Sequence, residues 1–339
     1  MQKNILLLFG GGGSEHEVSR VSSSYYLEQL TSINQNLESH KQFNILTVEV
    51  LSKNDWKLES EQNQVKSQCH INENGELEFS NQKLKIDYCV PCFHGPPGET
   101  GEIQVFLDLV GIPYFGNDYE ASLLCFNKIQ TKLLCESRKI PTVPFDYVQN
   151  ANQESLKLAE ELFDKYSGLF IKSSHQGSSV GCHLVKNKTD LEKALKDSLS
   201  LSPFALLEMP VKARELEVSV YQIDEQTFIS DPGEIICHED FYDYEEKYSE
   251  SSSADILDKA DLPKNIAEQI KSYAKQAAEI FRIKDIVRVD FFLVDDQIYL
   301  NELNTFPGMT PISLFPRMIS TQGREFKEVL QSSIKKYCF

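Results

Sequence analysis

The chain reads as an α/β protein of three units, and three observations say so. Strands and helices alternate through residues 1–116, the pattern of a largely parallel sheet joined by crossover helices. At 339 residues the chain exceeds what one simple core holds. Two further stretches follow, at 117–208 and 209–339, each with its own strands, helices and Pro/Gly breaks.

Residues 4–9 are apolar throughout and read as a buried strand. The glycines at 10–13 break it, and a helix runs from about 17 to 30. Residues 43–50 and 86–93 read as further strands. Between them, residues 52–85 are rich in Asn, Gln and Glu and suggest a hairpin excursion around Asn74-Gly75. A helix at 101–110 leads to a loop and short strand at 111–114. The second unit opens with one amphipathic segment, in which Leu123, Leu124, Phe126, Ile129, Leu133 and Leu134 recur at helical spacing as far as Ser137. Pro141 and Pro144 close it. A helix at 154–166, a strand at 169–172 and a Gly/Ser loop at 177–181 come next, and Thr189 with Glu192 forms a capping-box pattern. Leu206 and Leu207 cross into the third unit. That unit holds a strand at 216–223, an aromatic-rich polar segment within 231–255, a helix opening at Pro263, a hairpin, and a terminal helix from about Arg324.

A net charge of −17 argues against nucleic-acid and anionic-membrane partners, leaving room for a local basic pocket. The first apolar run is shorter than a signal-peptide core, and no stretch is long enough to span a bilayer. Eight scattered cysteines fit reduced thiols in a cytoplasm. Cys89 and Cys92 form a CxxC, yet positions three apart on a strand face opposite ways and no second pair follows, so packing is expected of them.

The hairpin carries the sharpest chemistry. Residues 286–294 and 298–305 alternate around an Asp295-Asp296-Gln297 turn, placing Arg288 with Asp290 on one strand face and Glu302 with Asn304 on another. A three-residue turn sets Asp290 opposite Glu302 and Arg288 opposite Asn304. A two-residue turn throws the pairs onto opposite faces. In the first register two carboxylates and an amide oxygen converge beside a guanidinium. Oxygen ligands without His or Cys suit Mg²⁺, which shares its shell with substrate phosphates. The plainer alternative is a solvated acidic edge; Arg288 and the downstream Gly308 favour a nucleotide–metal site.

Other motifs sort by what they lack. A dinucleotide fingerprint starting at Gly10 or Gly11 needs glycine at 15 or 16, where Glu15 and His16 stand. A carboxylate there would repel pyrophosphate but hold an ammonium; alternatively, Glu15 merely complements the helix dipole. No phosphate-binding P-loop occurs. The loop at 177–181, with small residues, hydroxyls and free N–H groups, suits a phosphate-covering flap, or is only a loop. Lys172 ends the strand before it, and Lys128 lies on an amphipathic helix where a surface role is equally open. The segment FYDYEEKY at 241–248 suits a lid that excludes water, or a loop pinned by its own tyrosines.

Together these motifs resemble the D-alanine–D-alanine ligase family of the ATP-grasp superfamily. The likeness runs through FGGGGSEHEVS at 9–19, FHGPPGETGEIQ at 93–104, GIPYFGNDYEASLLCFNK at 111–128 and IKSSHQGSSVG at 171–181. It continues in LLEMPVKARELEV at 206–218, FYDYEEKY, VRVDFF at 287–292 and NELNTFPGMTPISL at 301–314. The resemblance implies a three-domain ATP-grasp ligase, α+β in its ATP-binding half, with an N-terminal substrate domain (1–116), a central ATP-grasp domain (117–208) and a C-terminal catalytic domain (209–339) whose lid spans 231–255. It implies ATP contacts from Lys128, Lys172 and Lys247, an adenine site of Glu208, Met209, Val211 and Phe241, and Glu215 on the ribose. Asp290, Glu302 and Asn304 would hold two Mg²⁺ ions, with Mn²⁺ as an alternative. Glu15 would take the first D-alanine's ammonium, with His94 near its carboxylate; Ser313 and the Leu314 backbone would take the second D-alanine's carboxylate. Arg288 and the Gly308 N–H would face the oxyanion, and Glu15, Ser178 and Tyr248 would link domain, flap and lid. The implied product is the D-alanyl-D-alanine dipeptide of peptidoglycan precursor synthesis, made through an acyl phosphate in the cytoplasm by a homodimer.

Some positions depart from the family's habits. Gly13 replaces serine, Ser173 proline, Thr100 an acidic residue and Ala213 glycine; a proline-alanine pair is missing after Tyr248, and the hairpin turn is a residue short. Rival readings are a ligase taking D-lactate or D-serine second, another ATP-grasp carboxylate–amine ligase, and a nucleotide sensor without turnover.

Overall fold

The computed structural model describes residues 2–59, 67–236, 255–310 and 312–338. The apolar first strand, β1 (Lys3–Gly10), lies one strand in from the edge of a seven-stranded sheet. Its neighbours β2 (Phe43–Ser52) and β7 (Tyr88–Phe93) run parallel to it. The polar excursion becomes β3 (Asp55–Glu59), β4 (Ser67–Ile71), β5 (Glu76–Phe79) and β6 (Gln82–Lys85), an antiparallel edge in the order β6-β5-β4-β3-β2-β1-β7. The expected hairpin at Asn74-Gly75 joins β4 to β5. Helix α1 (His16–Gln35) covers one face and runs beyond its expected end, because Leu30 and Ile33 remain buried on it. On the other face sits α2 (Glu102–Leu109). Cys89 and Cys92 are buried in different cores on opposite faces of β7, both as free thiols pushed high by burial.

The single amphipathic segment expected at 123–137 is two helices, α3 (Tyr119–Phe126) and α4 (Lys128–Ser137). Asn127 breaks it: with φ −83° and ψ 99°, its side chain accepts from the Ile129 and Gln130 N–H groups and caps α4. Lys128 thereby becomes the first residue of a helix. The next sheet, β10-β9-β11-β8, is antiparallel and comprises β8 (Phe145–Val148), β9 (Leu169–Ser173), β10 (Cys182–Val185) and β11 (Ala205–Glu208). It packs against α5 (Gln153–Tyr166) and α6 (Leu191–Leu201) around Leu169, Ile171 and Leu207. The capping box is not formed, since a short 3₁₀ turn (Lys188–Asp190) precedes α6 and leaves Asp190 at the cap; Glu192 pairs instead with Lys196.

A third, antiparallel sheet runs β15-β14-β12-β16-β17, with β13 on β12. Its strands are β12 (Arg214–Ile223), β13 (Gln226–Ile229), β14 (Gly233–Ile236), β15 (Asp255–Leu257), β16 (Ile286–Val294) and β17 (Gln297–Asn304). Helices α7 (Lys264–Ile280), α3 and α4 share its core, while α8 (Leu314–Ser320) and α9 (Phe326–Cys338) bridge it to the first sheet. Polar ties secure that junction: Asn117 Nδ2 donates to the Ile286 carbonyl at 2.7 Å, and the Gly116 N–H donates to Asp285 Oδ2 at 2.7 Å.

The hairpin corrects one expectation. Val294 pairs with Gln297, so the turn is the two residues Asp295-Asp296, the register that should separate the site's pairs. A bulge between Asp290 and Phe291 on one strand, where β17 carries the extra residue Asn301, restores them: Asp290 faces Glu302 and Arg288 faces Asn304. Burial follows suit, with Ile298 and Leu300 two apart but Leu303 three beyond.

Candidate active site

The loops ending β1, β7, β9 and β17 meet over the third sheet. Glu15 stands at the N-cap position of α1, but its side chain makes no cap bond there. Instead Glu15 Oε1 accepts from Ser178 Oγ at 2.5 Å, joining the first unit to the 177–181 loop. Ser178 and Ser179 hold φ of 49° and 60°, the left-handed conformation that turns the loop over the cavity. Gly95 explains the fit from the other side: it has φ +65°, and a Cβ there would lie 2.8 Å from Glu15 Oε2.

A cavity of about 740 Å³ lies between the second and third sheets. Lys128, Lys172, Glu208, Met209, Val211 and Glu215 all line it, together with Ser178 and Glu302. Lys128 Nζ sits 3.1 Å from Glu302 Oε2 and donates to the Gln176 carbonyl at 2.8 Å. Burial works against that ammonium, but Glu302 overcomes it and raises its pKa. Lys172 Nζ lies 2.7 Å from Glu208 Oε2. The Met209 N–H donates to the Pro144 carbonyl at 3.0 Å, which commits that donor to the fold.

Arg288 Nε and Nη2 donate to both oxygens of Asp290 at 2.7 Å, and Glu217 lies 3.3 Å from Nε. Burial opposes the guanidinium charge, yet Asp290 and Glu217 hold it well above its ordinary range. Asn304 Oδ1 accepts from the Phe306 N–H at 3.0 Å. Two carboxylates and an amide on one sheet face are the oxygen donors Mg²⁺ takes, so the donor chemistry fits. Among the described residues no group of three or more His, Cys, Asp or Glu converges as a metal cluster. Asp290, Glu302 and Asn304 are the residues that would hold such an ion.

His94 is buried and pairs through Nε2 with Ser22 Oγ at 2.9 Å. Burial first, and the Arg288 charge second, push it down to about 4, so the ring is neutral near pH 7. Ser313 precedes α8 without capping it; its Oγ accepts from the Thr310 N–H at 3.0 Å. Leu314 opens that helix, and Gly308 lies against Ser313, where a Cβ would come within 2.9 Å of Oγ. The expected Phe241, Lys247 and Tyr248 lie outside the described residues.

Two residues of this site escaped the sequence reading. Glu217 shares Arg288 with Asp290, and the alternation of β12 placed it on the same face. Glu99, within the FHGPPGETGEIQ motif, accepts from the Gly95 N–H at 3.2 Å and faces Glu15 and Glu302. Burial first, then the Glu15 charge, push its carboxyl up to about 8. No local pattern signals it, because its neighbours come from three separate segments.

A nucleotide-sized cavity between two antiparallel sheets, floored by lysines and flanked by paired acids, is the architecture of an ATP-grasp protein, and the comparisons narrow it. The D-ala D-ala ligase N-terminus model matches residues 4–117 and the D-ala D-ala ligase C-terminus model residues 134–335, so the chain belongs to the D-alanine–D-alanine ligase family. A D-alanine–D-alanine ligase of Aliivibrio fischeri is 42% identical over 335 residues, covering 98% of each chain. One from Shewanella halifaxensis is 39% identical over 338 residues, again covering 98% of each. Among solved structures, D-alanyl-alanine synthetase A from Vibrio cholerae superposes with a TM-score of 0.90 at 40% identity, covering 99% of this chain and 98% of that one. The VanG D-Ala:D-Ser ligase from Enterococcus faecalis gives 0.85 at 26% identity, covering 99% and 100%.

Proposed function

We propose that this chain is an ATP-dependent ligase that joins two D-alanine molecules through an acyl phosphate. The observation that carries the reading is the Glu15–Ser178 bond, which brings an amino-acid-binding carboxylate to the rim of the lysine-floored cavity. Identities near 40% over the whole length support D-alanine as both substrates.

The chemistry follows from charge placement. Glu15 holds the ammonium of the first D-alanine, and neutral His94 lies near its carboxylate, its ring engaged by Ser22 and the Phe306 backbone. One carboxylate oxygen attacks the γ-phosphorus of ATP; ADP leaves and an acyl phosphate remains. Lys128 and Lys172 hold the phosphates, Glu208, Met209 and Val211 take the adenine and Glu215 the ribose. Asp290, Glu302 and Asn304 would hold Mg²⁺, which when bound would neutralise charge at the transferring phosphoryl group. Ser313 and the Leu314 N–H bind the second D-alanine, whose amine, after losing a proton, attacks the acyl carbon and expels phosphate. Arg288 and the Gly308 N–H face the oxyanion, a role in which one donor contributes about 2.7–4 kcal/mol elsewhere.

We assign residues 1–116, 117–208 and 209–339 to the substrate, central and catalytic domains, with Phe241, Lys247 and Tyr248 in a lid. The protein works as a cytoplasmic homodimer on this reading; no helix among the described residues is long and apolar enough to cross a membrane. The test is ADP release with D-alanine alone, with D-alanine plus D-serine or D-lactate, and with L-alanine as control. Turnover with D-alanine alone supports the dipeptide reading. Turnover that requires D-serine or D-lactate moves the chain to the depsipeptide or D-serine class.

A further inference from the structure

The floor of the nucleotide cavity rests on a buried charge trio that the reaction above does not use in full. Glu208 ends β11 almost completely buried and meets a lysine at each oxygen, Lys172 at 2.7 Å from Oε2 and Lys132 at 2.5 Å from Oε1. Lys172 and Glu208 line the cavity, whereas Lys132 is 1% exposed and does not. Lys132 lies one turn after Lys128 on α4, so Lys128 reaches the cavity directly while Lys132 stops behind it. Its ammonium also donates to the Val143 carbonyl at 3.3 Å and stands 5.2 Å from the Phe145 ring centre.

The charge count is decisive. Glu208 with Lys172 alone is a neutral pair, and a neutral pair pulls weakly on a phosphate. Two ammonium groups against one carboxylate leave one positive charge, and Lys172 is the member that carries it to the cavity. In a buried setting such charges are little screened.

We propose that Lys132 is a positioning residue for nucleotide binding: by occupying one oxygen of Glu208, it keeps that carboxylate from neutralising Lys172 and leaves the full Lys172 charge for the phosphates. This rests on the ligase reading above. Glu208 is held ionised in support of it; burial opposes that charge, but Lys132 and Lys172 bring its pKa down to about 2. A purely structural salt bridge would stabilise the floor without distinguishing phosphorylated from unphosphorylated ligands.

That distinction supplies the test. ATP and adenosine are competed against a fluorescent ATP analogue on the wild-type protein, Lys132→Met, and the double variant Lys132→Met with Glu208→Gln. The readout is the ratio of ATP to adenosine affinity. Lys132→Met lowers it on the order of tenfold. The double variant, in which Lys172 has no carboxylate to neutralise it, returns the ratio to near the wild-type value. Parallel loss of ATP and adenosine affinity in Lys132→Met overturns the proposal. If that variant does not fold, Lys132→Gln, which removes the charge but keeps a polar side chain, takes its place: a ratio lowered on the order of tenfold supports the proposal and a wild-type ratio overturns it. Wild-type protein that binds no ATP overturns the ligase reading itself, a different result.

Discussion

Replacing Ser178 with alanine removes the hydrogen bond that ties the flap to Glu15 and leaves the rest of the loop as it is. Ser178 Oγ donates to a carboxylate at 2.5 Å, and Glu15 is 9% exposed, so water does not readily replace the lost donor. A hydrogen bond to a charged group contributes about 1.5–3 kcal/mol. At about 1.4 kcal/mol per tenfold, kcat/KM for the first D-alanine falls roughly 10- to 150-fold. The backbone does not confuse the result, because serine and alanine carry the same strain at φ 49°. Ser178→Gly relieves that strain by about 1 kcal/mol yet loses the same hydroxyl, so it should be as impaired as the alanine variant. The assay is coupled ADP release against D-alanine concentration, with thermal melting to show that the fold persists. An alanine variant within about twofold of wild type, or a glycine variant with full activity, would refute a working Glu15–Ser178 contact.

Asp290→Asn and Glu302→Gln each abolish turnover while the circular dichroism spectrum stays unchanged; near-normal ADP release in either counts against the metal assignment. Gly95→Ala forces a side chain at φ +65° against Glu15 Oε2, costing about 1 kcal/mol in melting stability and raising KM for D-alanine more than KM for ATP. His94, held near 4 in the fold against an ordinary 6.5, makes the unfolded chain the better proton acceptor between those values, so stability is lost as pH falls through that window. Glu99 works oppositely: its folded value near 8 lies above the ordinary 4.5, so stability declines as pH rises from 4.5 to 8. Melting curves across pH should show Glu99→Gln flattening the alkaline decline; a decline that persists in the variant refutes the burial of that carboxyl.

Much of the site was legible because its signals are local. Strand alternation puts Arg288 with Asp290 and Glu302 with Asn304, and the failed dinucleotide pattern singles out Glu15. The expected three-residue turn was wrong, and the site survived for a reason the same stretch spells out: the spacing of Ile298, Leu300 and Leu303 steps from two to three where the bulge sits. Asn127 likewise announced a helix cap inside an apolar period that masked it. Glu99 and Lys132 had no such mark. One is an acid in a loop and the other a lysine on an amphipathic helix, and only their surroundings distinguish them.

By itself the order of residues determined which side chains of a strand share a face and which donors are hard oxygens, because those properties are local. The tertiary structure alone decided that Asp290 meets Glu302, that Glu15 reaches Ser178 across 163 positions, and that one carboxyl is pushed up to about 8 while another is held near 2. Register, proximity and desolvation depend on segments distant in the chain, and no local pattern encodes how far water is excluded from a charge.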